Sequence, residues 1–272
     1  MARLDQELVR LSLARSRTHA ATLIAAGLAS VNGTVQRKAA FAVADGAQVT
    51  VADTGADDYV SRAGHKLAGA LDFFPQVIVA GKRCLDAGAS TGGFTDVLLR
   101  RGAATVLAVD VGHGQLVPQL RSDPRVQVHE GLNIRYMSAE DIGGPADLTV
   151  CDLSFISLTL VVAPLAAATR PGGELLLMVK PQFEVGRERL SRTGVVGSEN
   201  ERRRAVGQVA QSVLDAGLLL LGLGASTLPG QDGNVEYFLL AGKAMSDGPH
   251  KIEEHSPSVE ELLAGLWPQP AS

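Results

Sequence analysis

Aromatic residues make up only 4% of the 272 residues, and cysteine occurs just twice. A core short of aromatics must be packed mostly by Ala, Val and Leu. Two cysteines exclude a disulfide framework, and both Cys84 and Cys151 fall in apolar, strand-like runs. They read as buried thiols in a reducing cytoplasm, and no metal site is expected. No apolar run approaches the roughly 20 residues that span a bilayer, so no membrane span is expected. No charged-then-apolar leader is visible, and a cytoplasmic location is expected. Repeats and long low-complexity segments are absent as well. The remainder, 46% hydrophobic and 20% charged, is the composition of a globular protein with room for one large and one small domain.

A net charge of −4 argues against a nucleic-acid partner, but its distribution argues for one. Residues 1–38 carry Arg3, Arg10, Arg15, Arg17, Arg37 and Lys38 against only Asp5 and Glu7. A second basic cluster runs from Arg187 to Arg204. Such asymmetry points to a phosphate-facing surface on a mildly acidic body.

The stretch Cys84-Leu85-Asp86-Ala87-Gly88-Ala89-Ser90-Thr91-Gly92-Gly93-Phe94 organises the larger part of the chain. A short apolar lead-in ends at Asp86, small residues force a tight turn, and Phe94, Val97, Leu98 and Leu99 recur at helical spacing. This is the first unit of a doubly wound sheet, whose ligands sit at the carboxyl ends of the strands. The dinucleotide fingerprint G-x-G-x-x-G fails, because position 90 is Ser and the glycines stand at 88, 92 and 93. Asp110 closes the next apolar strand, followed by Val111, and an acid there suits a ribose diol. A turn without a phosphate cradle plus that acid fits S-adenosylmethionine, a nucleoside with a sulfonium and no phosphate. The expected cofactor residues are Asp86, Gly88, Ala89, Ser90, Thr91, Gly92, Gly93, Phe94, Asp110, Val111 and Asp152. The same residues match G-x-S-x-G, a serine-hydrolase elbow with Ser90 as nucleophile. That alternative needs a later His, and the chain offers His250 and His255 in a Pro-, Ser- and Glu-rich tail. A tight turn that binds nothing is the blander alternative.

Along the chain, residues 1–52 read as a small α+β unit. Leu4, Leu8 and Leu11 mark one helix face, and Ser16 is a candidate N-cap for a second helix with Ala20, Leu23 and Ile24. Asn32-Gly33 between short β runs signals a hairpin with a type I′ turn, and Val43, Val49 and Val51 complete a little sheet. Residues 53–62 form a polar connector, 63–245 an α/β domain, and 246–272 a tail. In the α/β domain, strands are expected to end at Asp86, Asp110, Glu130, Asp152 and Lys180. The pattern Arg3-Leu4-Asp5, Leu8, Ser16-Arg17, Ala20, Leu23-Ile24, Gly27, Val31-Asn32-Gly33 closely resembles the S4 domain, a small RNA-binding module. Arg3, Arg15, Arg17, Lys38 and, beyond the module, Arg62 are the candidate RNA contacts.

Polar residues at strand ends are candidates for chemistry by position, and Lys66, Asp152, Lys180 and Glu236 stand out. Lys180 ends the apolar run from Leu175 to Val179, where a buried ammonium needs acids to balance it. Asp152 and Glu236 are placed to do so, either as a structural ion cluster or as catalytic machinery. Transfer of a methyl group to a ribose hydroxyl would use such a set. A desolvated lysine takes the hydroxyl proton, Asp152 holds that lysine, and Lys66 with Glu236 orients the hydroxyl. Lys66, Asp152, Lys180 and Glu236 together are similar to the Lys-Asp-Lys-Glu tetrad of FtsJ-like RNA 2′-O-methyltransferases. With Ser61-Arg62-x-Gly64-His65-Lys66, Asp152-Leu153-Ser154-Phe155-Ile156-Ser157, Lys180-Pro181-Gln182-Phe183-Glu184 and Gly233-Asn234-Val235-Glu236-Tyr237, the chain resembles the TlyA family up to about residue 243. The resemblance implies a Rossmann-like methyltransferase sheet behind an S4 domain. It also implies 2′-O-methylation of cytidine in ribosomal RNA or ribosomal subunits, with effects on sensitivity to ribosome-binding peptide antibiotics. The family also carries the label haemolysin, for which no membrane-inserting segment is seen. Some members have Arg-Ala-Trp-Val before the Ser-Arg pair, where this chain has Asp57-Asp58-Tyr59-Val60. Base-directed methyltransferases typically carry an Asn/Asp-Pro-Pro-aromatic motif, which Asp152-Leu153-Ser154-Phe155 lacks. A non-catalytic RNA-binding protein is the remaining alternative, and it would not need four charged residues at strand ends.

Overall fold

The computed structural model describes residues 2–11, 13–14, 17–44, 46–52, 59–186, 190, 193–245 and 256–267. The chain divides into two compact units, residues 1–58 and 59–272.

The first unit contains β1 (Ala2–Arg3), α1 (Leu4–Arg10), α2 (Arg17–Ala25), β2 (Ala29–Val31), β3 (Thr34–Val35), β4 (Ala42–Val43) and β5 (Val49–Val51). Leu4, Leu8, Ala20 and Ile24 are fully buried between the elements, whereas Leu11, just past the end of α1, is exposed. Asn32 and Gly33 adopt φ of 49° and 78°, the left-handed pair that a type I′ turn requires. β2 pairs antiparallel with β3 and β5, while β4 pairs with β1 in a separate ribbon. Val43 therefore does not complete one sheet with Val49 and Val51. Ser16, the candidate cap, lies outside the described residues.

The second unit begins with α3 (Arg62–Phe73) and continues through β6 (Arg83–Ala87), α4 (Gly93–Arg100), β7 (Thr105–Asp110), α5 (Pro118–Arg121) and β8 (Val126–Glu130). There follow β9 (Ala146–Cys151), α6 (Val162–Ala167), β10 (Thr169–Val179), α7 (Pro181–Glu184), α8 (Glu199–Asp215), β11 (Leu218–Ala225), β12 (Tyr237–Lys243) and α9 (Val259–Leu266). The strands form one seven-stranded sheet in the order β11-β12-β10-β9-β6-β7-β8. β6 to β10 run parallel, and β12 lies antiparallel between β10 and β11. The chain winds outward from β6 in one direction and from β9 in the other, so the switch point falls between them. That crevice, at the carboxyl ends, is where such sheets bind ligands.

Alternation along the strands sorts side chains into two layers. Leu85, Leu107, Val109, Leu175, Leu177 and Leu239 pack with Leu165, Val206, Val209 and Val213 from α6 and α8. Cys84, Val106, Ala108, Leu176, Met178 and Leu240 pack with Leu67, Leu71, Val97 and Leu98 from α3 and α4. Each large apolar side chain fully buried in this way contributes about 1.5–3 kcal/mol. Burial in the same layers pushes the Cys84 thiol up to about 12 and raises that of Cys151 too, so both are inert. Tyr59 and Val60, placed in the connector by the sequence reading, pack on this unit. Tyr59 is buried beneath the Arg100 guanidinium, and Val60 N donates to Asp96 Oδ2 at 3.0 Å. Part of the expected tail also belongs to the core. Ser258 and Glu261 form a reciprocal cap that starts α9, and α9 buries Leu262 and Leu263.

Candidate active site

The turn after β6 is built by close backbone contacts. Gly88 and Ala89 both donate N–H bonds to Val109 O, at 2.9 and 3.0 Å. Gly88 has φ of 93°, and a β-carbon there would stand 2.5 Å from Asp152 O, so no larger residue fits. Ser90, with φ of 46°, donates its backbone N–H to Asp110 Oδ2 at 2.8 Å, and Gly112 N donates to Asp110 Oδ1 at 2.7 Å. A non-glycine residue held in that region is locally strained, as is common beside ligand sites. The start of α3 packs close to the amino end of α4: a β-carbon on Gly93 would collide with Ser61 Oγ and lie 3.0 Å from Gly64 N.

Beside this turn lies a cavity of about 270 Å³ bordered by Ser61, Arg62, Ala63, Gly88 to Thr91, Gly93, Phe94, Asp152, Ser154 and Lys180. Lys180 directly follows β10 and stands at the N-cap of α7, where Pro181 starts the helix. Its Nζ lies 2.5 Å from Asp152 Oδ1 and donates to Ser154 Oγ at 3.0 Å. Lys66 Nζ donates to Glu236 Oε2 at 2.5 Å, and both side chains are almost fully buried. Glu236 Oε1 accepts from Gln182 Nε2 at 3.5 Å, and a β-carbon on Gly230 would lie 2.6 Å from the same oxygen. The four candidate residues, Lys66 on α3 and the other three beside strand ends, thus form two neutral pairs, Lys180–Asp152 and Lys66–Glu236. Glu236 balances Lys66 and not Lys180. In a low-dielectric site such pairs hold charge in fixed positions, provided that neither partner is lost.

Several expected ligand residues stand elsewhere. Asp86 is fully buried and accepts from Thr95 Oγ1 at 2.6 Å. It shares the face of β6 with Cys84, toward α4, so strand alternation turns it away from the cavity. Burial raises its carboxyl to about 7, with Asp152 and Asp110 adding to the effect and Thr95 opposing it. Gly92 packs against Leu116 and Leu120 rather than lining the cavity. Asp110 borders a small adjoining crevice with Ser90, Gly112 and Gln115, and Val111 is exposed. The Ser90 hydroxyl donates to Gln115 Oε1 at 3.1 Å, and the histidines that a hydrolase would need, His250 and His255, lie outside the described residues.

Three neighbours of the site lie within the motifs quoted above, which assign them no role of their own. Phe155, with φ of 66°, is 92% exposed and leans on Phe183 at 5.3 Å between ring centres. In sequence, an aromatic between Leu153 and Ile156 reads as core. Glu184 accepts from Ser157 Oγ at 2.5 Å and from Leu158 N at 2.8 Å, fastening the loop that bears Phe155. Its carboxyl is raised by burial, against the pull of those two bonds. Ser154 belongs to the same loop.

In the first unit Arg3 and Arg17 converge on Asp5. Arg3 Nε lies 3.0 Å from Oδ1 and Arg17 Nη2 3.0 Å from Oδ2. They are not independent cations, although both remain exposed; Lys38 is exposed too. Arg15 lies outside the described residues. Arg62 stands on α3 at the cavity mouth, with Nη2 3.5 Å from Pro229 O.

Fold and site together define a doubly wound α/β enzyme with a small α+β unit ahead of it. The FtsJ-like methyltransferase family model matches residues 59–243, and the S4 domain model matches residues 2–49. A Mycobacterium tuberculosis protein named 16S/23S rRNA (cytidine-2′-O)-methyltransferase TlyA is 48% identical over 94% of this chain and 98% of its own length. Hemolysin A of Brachyspira hyodysenteriae is 37% identical over 86% of this chain and 97% of its own. A solved structure described as a hemolysin, from Streptococcus thermophilus, superposes with a TM-score of 0.72 at 35% identity, covering 97% of this chain and 94% of that one. The chain belongs to the FtsJ-like methyltransferases and, among them, to the TlyA family with its leading S4 domain. No helix among the described residues is long and apolar enough to cross a membrane.

Proposed function

We propose that the protein methylates the ribose 2′-oxygen of a cytidine in ribosomal RNA, with S-adenosylmethionine as the methyl donor. The observation that carries this reading is Lys180, a buried amine at the end of an apolar strand, paired with Asp152 and bordering the cavity. The name of the 48% identical relative supports the substrate class.

The residues present suit the donor. The turn departs from the G-x-G-x-x-G spacing of a phosphate cradle, and Asp110 stands where a ribose diol would be recognised. Gly88 to Thr91, Gly93, Phe94 and Asp152 border the space for it, with Asp110 in the adjoining crevice toward the nucleoside end and the exposed Val111 next to it in the chain. S-adenosylmethionine supplies an electrophilic methyl group on sulfur. An alcohol is a weak nucleophile until its proton is removed, and Lys180 is the group that takes that proton. Asp152 fixes the lysine and offsets its charge, while Lys66 with Glu236 orients the hydroxyl for in-line attack. Phe155 presents an open aromatic face on which a base can stack.

Residues 1–52 act as the RNA-binding module through Arg3, Arg15, Arg17 and Lys38, and Arg62 adds a cation at the catalytic cavity. Residues 63–245 form the catalytic domain, with 53–62 between them. The enzyme works in the cytoplasm, where ribosomal subunits are assembled. The test is to map alkali-resistant, 2′-O-methylated positions on ribosomal RNA from cells with and without the protein. A cytidine that loses its ribose methyl group on deletion and regains it with the purified protein is the expected result. A methyl group on the base, or no difference between the strains, would sink the reading.

A further inference from the structure

Lys180 Nζ has three directions open to partners, and the protein faces two of them. In the form that takes a proton, the amine has two N–H groups and one lone pair. Asp152 Oδ1 lies 2.5 Å from Nζ as its ion-pair partner, and Ser154 Oγ accepts a hydrogen bond from Nζ at 3.0 Å. We infer that Ser154 is a positioning residue for Lys180, holding the amine so that its remaining direction meets the substrate hydroxyl. The inference rests on the ribose-methylation reading above.

The two contacts come from one short loop that is fixed at both ends. Asp152 N donates to Ala87 O at 3.0 Å, which ties the start of the loop to the end of β6. At the other end, Ser157 Oγ and Leu158 N are both held by Glu184. Glu184 sits on α7, the helix whose N-cap is Lys180 itself. The lysine and the loop that steadies it are therefore braced by a single element. Between the anchors, Phe155 takes a left-handed φ of 66°, which keeps the loop from lying flat along its neighbours. Ser154 is exposed and borders the cavity, so its hydroxyl contributes no core packing. With Asp152 alone, the Cδ–Cε and Cε–Nζ torsions of Lys180 could rotate about one contact. A second acceptor removes that freedom, which matters because reacting atoms must be aligned within about 3–3.5 Å.

The test uses the full-length enzyme, radiolabelled S-adenosylmethionine and ribosomal subunits purified from cells lacking the protein. Ser154→Ala should lower kcat about 10-fold, a fraction of the loss that outright misplacement causes. KM for the subunits, the dissociation constant for S-adenosylmethionine and the melting temperature should stay within twofold or a degree or two of wild type. Ser154→Thr, which keeps the hydroxyl oxygen, should restore most of the rate. A wild-type kcat in Ser154→Ala overturns the inference. So does a loss of rate that tracks cofactor binding or melting and is not rescued by Thr, since that is a structural role. If the wild-type enzyme itself places no methyl on ribose, the underlying reading fails instead, and the two failures are told apart.

Discussion

In the first unit one buried carboxylate, Asp5, gathers two arginines that stay 47% and 60% exposed; in the second, each of two buried lysines has a carboxylate of its own. The first arrangement leaves surplus positive charge facing water, where it attracts phosphates and is screened by salt. The second leaves no net charge but fixes strong dipoles in a dry place, where screening hardly reaches. On the function proposed above, recognition and chemistry are separated by how charge is balanced, not by how much of it there is.

The largest expected effect comes from breaking the second arrangement at Lys180. Lys180→Met keeps the apolar stem and deletes the amine. Turnover should fall by about 10²–10⁴-fold, or roughly 2.7–5.4 kcal/mol of barrier. Single-turnover methylation measured beside thermal melting separates chemistry from structure. If the lysine merely balances Asp152, the stranded acid should lower stability strongly while a residual rate persists.

Next in size is Asp110, an acid whose partners are backbone amides rather than a cation. Its two oxygens already hold Ser90 N and Gly112 N, so it shapes the turn as well as offering a diol acceptor. Asp110→Ala should weaken S-adenosylmethionine binding by about 1–3 kcal/mol, read by calorimetric titration. Unchanged affinity would remove Asp110 from the site.

Much of this architecture is legible in the residues themselves, because its signals are local. The turn from Ala87 to Gly93, the Asn32-Gly33 hairpin and the Lys180-Pro181 break each need only neighbouring residues to be understood. The pairing of Lys66 with Glu236 is not legible in that way. It depends on β12 lying antiparallel beside β10, which brings residues 170 positions apart together. Asp86 misleads for a related reason: a strand-ending acid points to one of two layers, and only the register says which. The exposure of Phe155 depends on one left-handed residue and a Glu184 clamp, neither of which composition reveals.

Two buried acids sharpen the comparison through pH. Hydrogen bonding from Arg3, then Arg17, holds the Asp5 carboxyl down at about 2. A depressed native value stabilises the fold above the ordinary carboxylate range, near 4, and that stability is lost as pH falls toward 2. Asp86 is the reverse case, raised to about 7 by burial. Its contribution is complete below pH 4 and is lost as pH rises toward 7. Melting the two units separately, or following each by hydrogen exchange, should show the first weakening in acid. Asp86→Asn should flatten the decline of the second between pH 4 and 7. An unchanged profile in Asp86→Asn would mean that its carboxyl does not stay protonated in the fold.

The smallest effect is a slope rather than a rate. If the exposed cations of the first unit meet phosphates, deleting one cation should reduce the dependence of log affinity on log salt by about 0.7–0.9. Arg17 and Lys38 differ in how they are held: Arg17 is anchored on Asp5, and Lys38 stands free of that cluster. Lys38→Ala should therefore release one phosphate and leave folding untouched. Arg17→Ala should release one phosphate as well, but it leaves Arg3 as the partner of Asp5, so melting falls slightly too. In the double variant the slope should drop by the sum, since the two charges act on separate phosphates, while binding of S-adenosylmethionine is unchanged. Filter binding of ribosomal RNA between 50 and 300 mM salt gives the slope directly, on the order of one phosphate per variant. A double variant with the wild-type slope would show that these cations face solvent rather than RNA, and the division of labour between the two units would have to be redrawn.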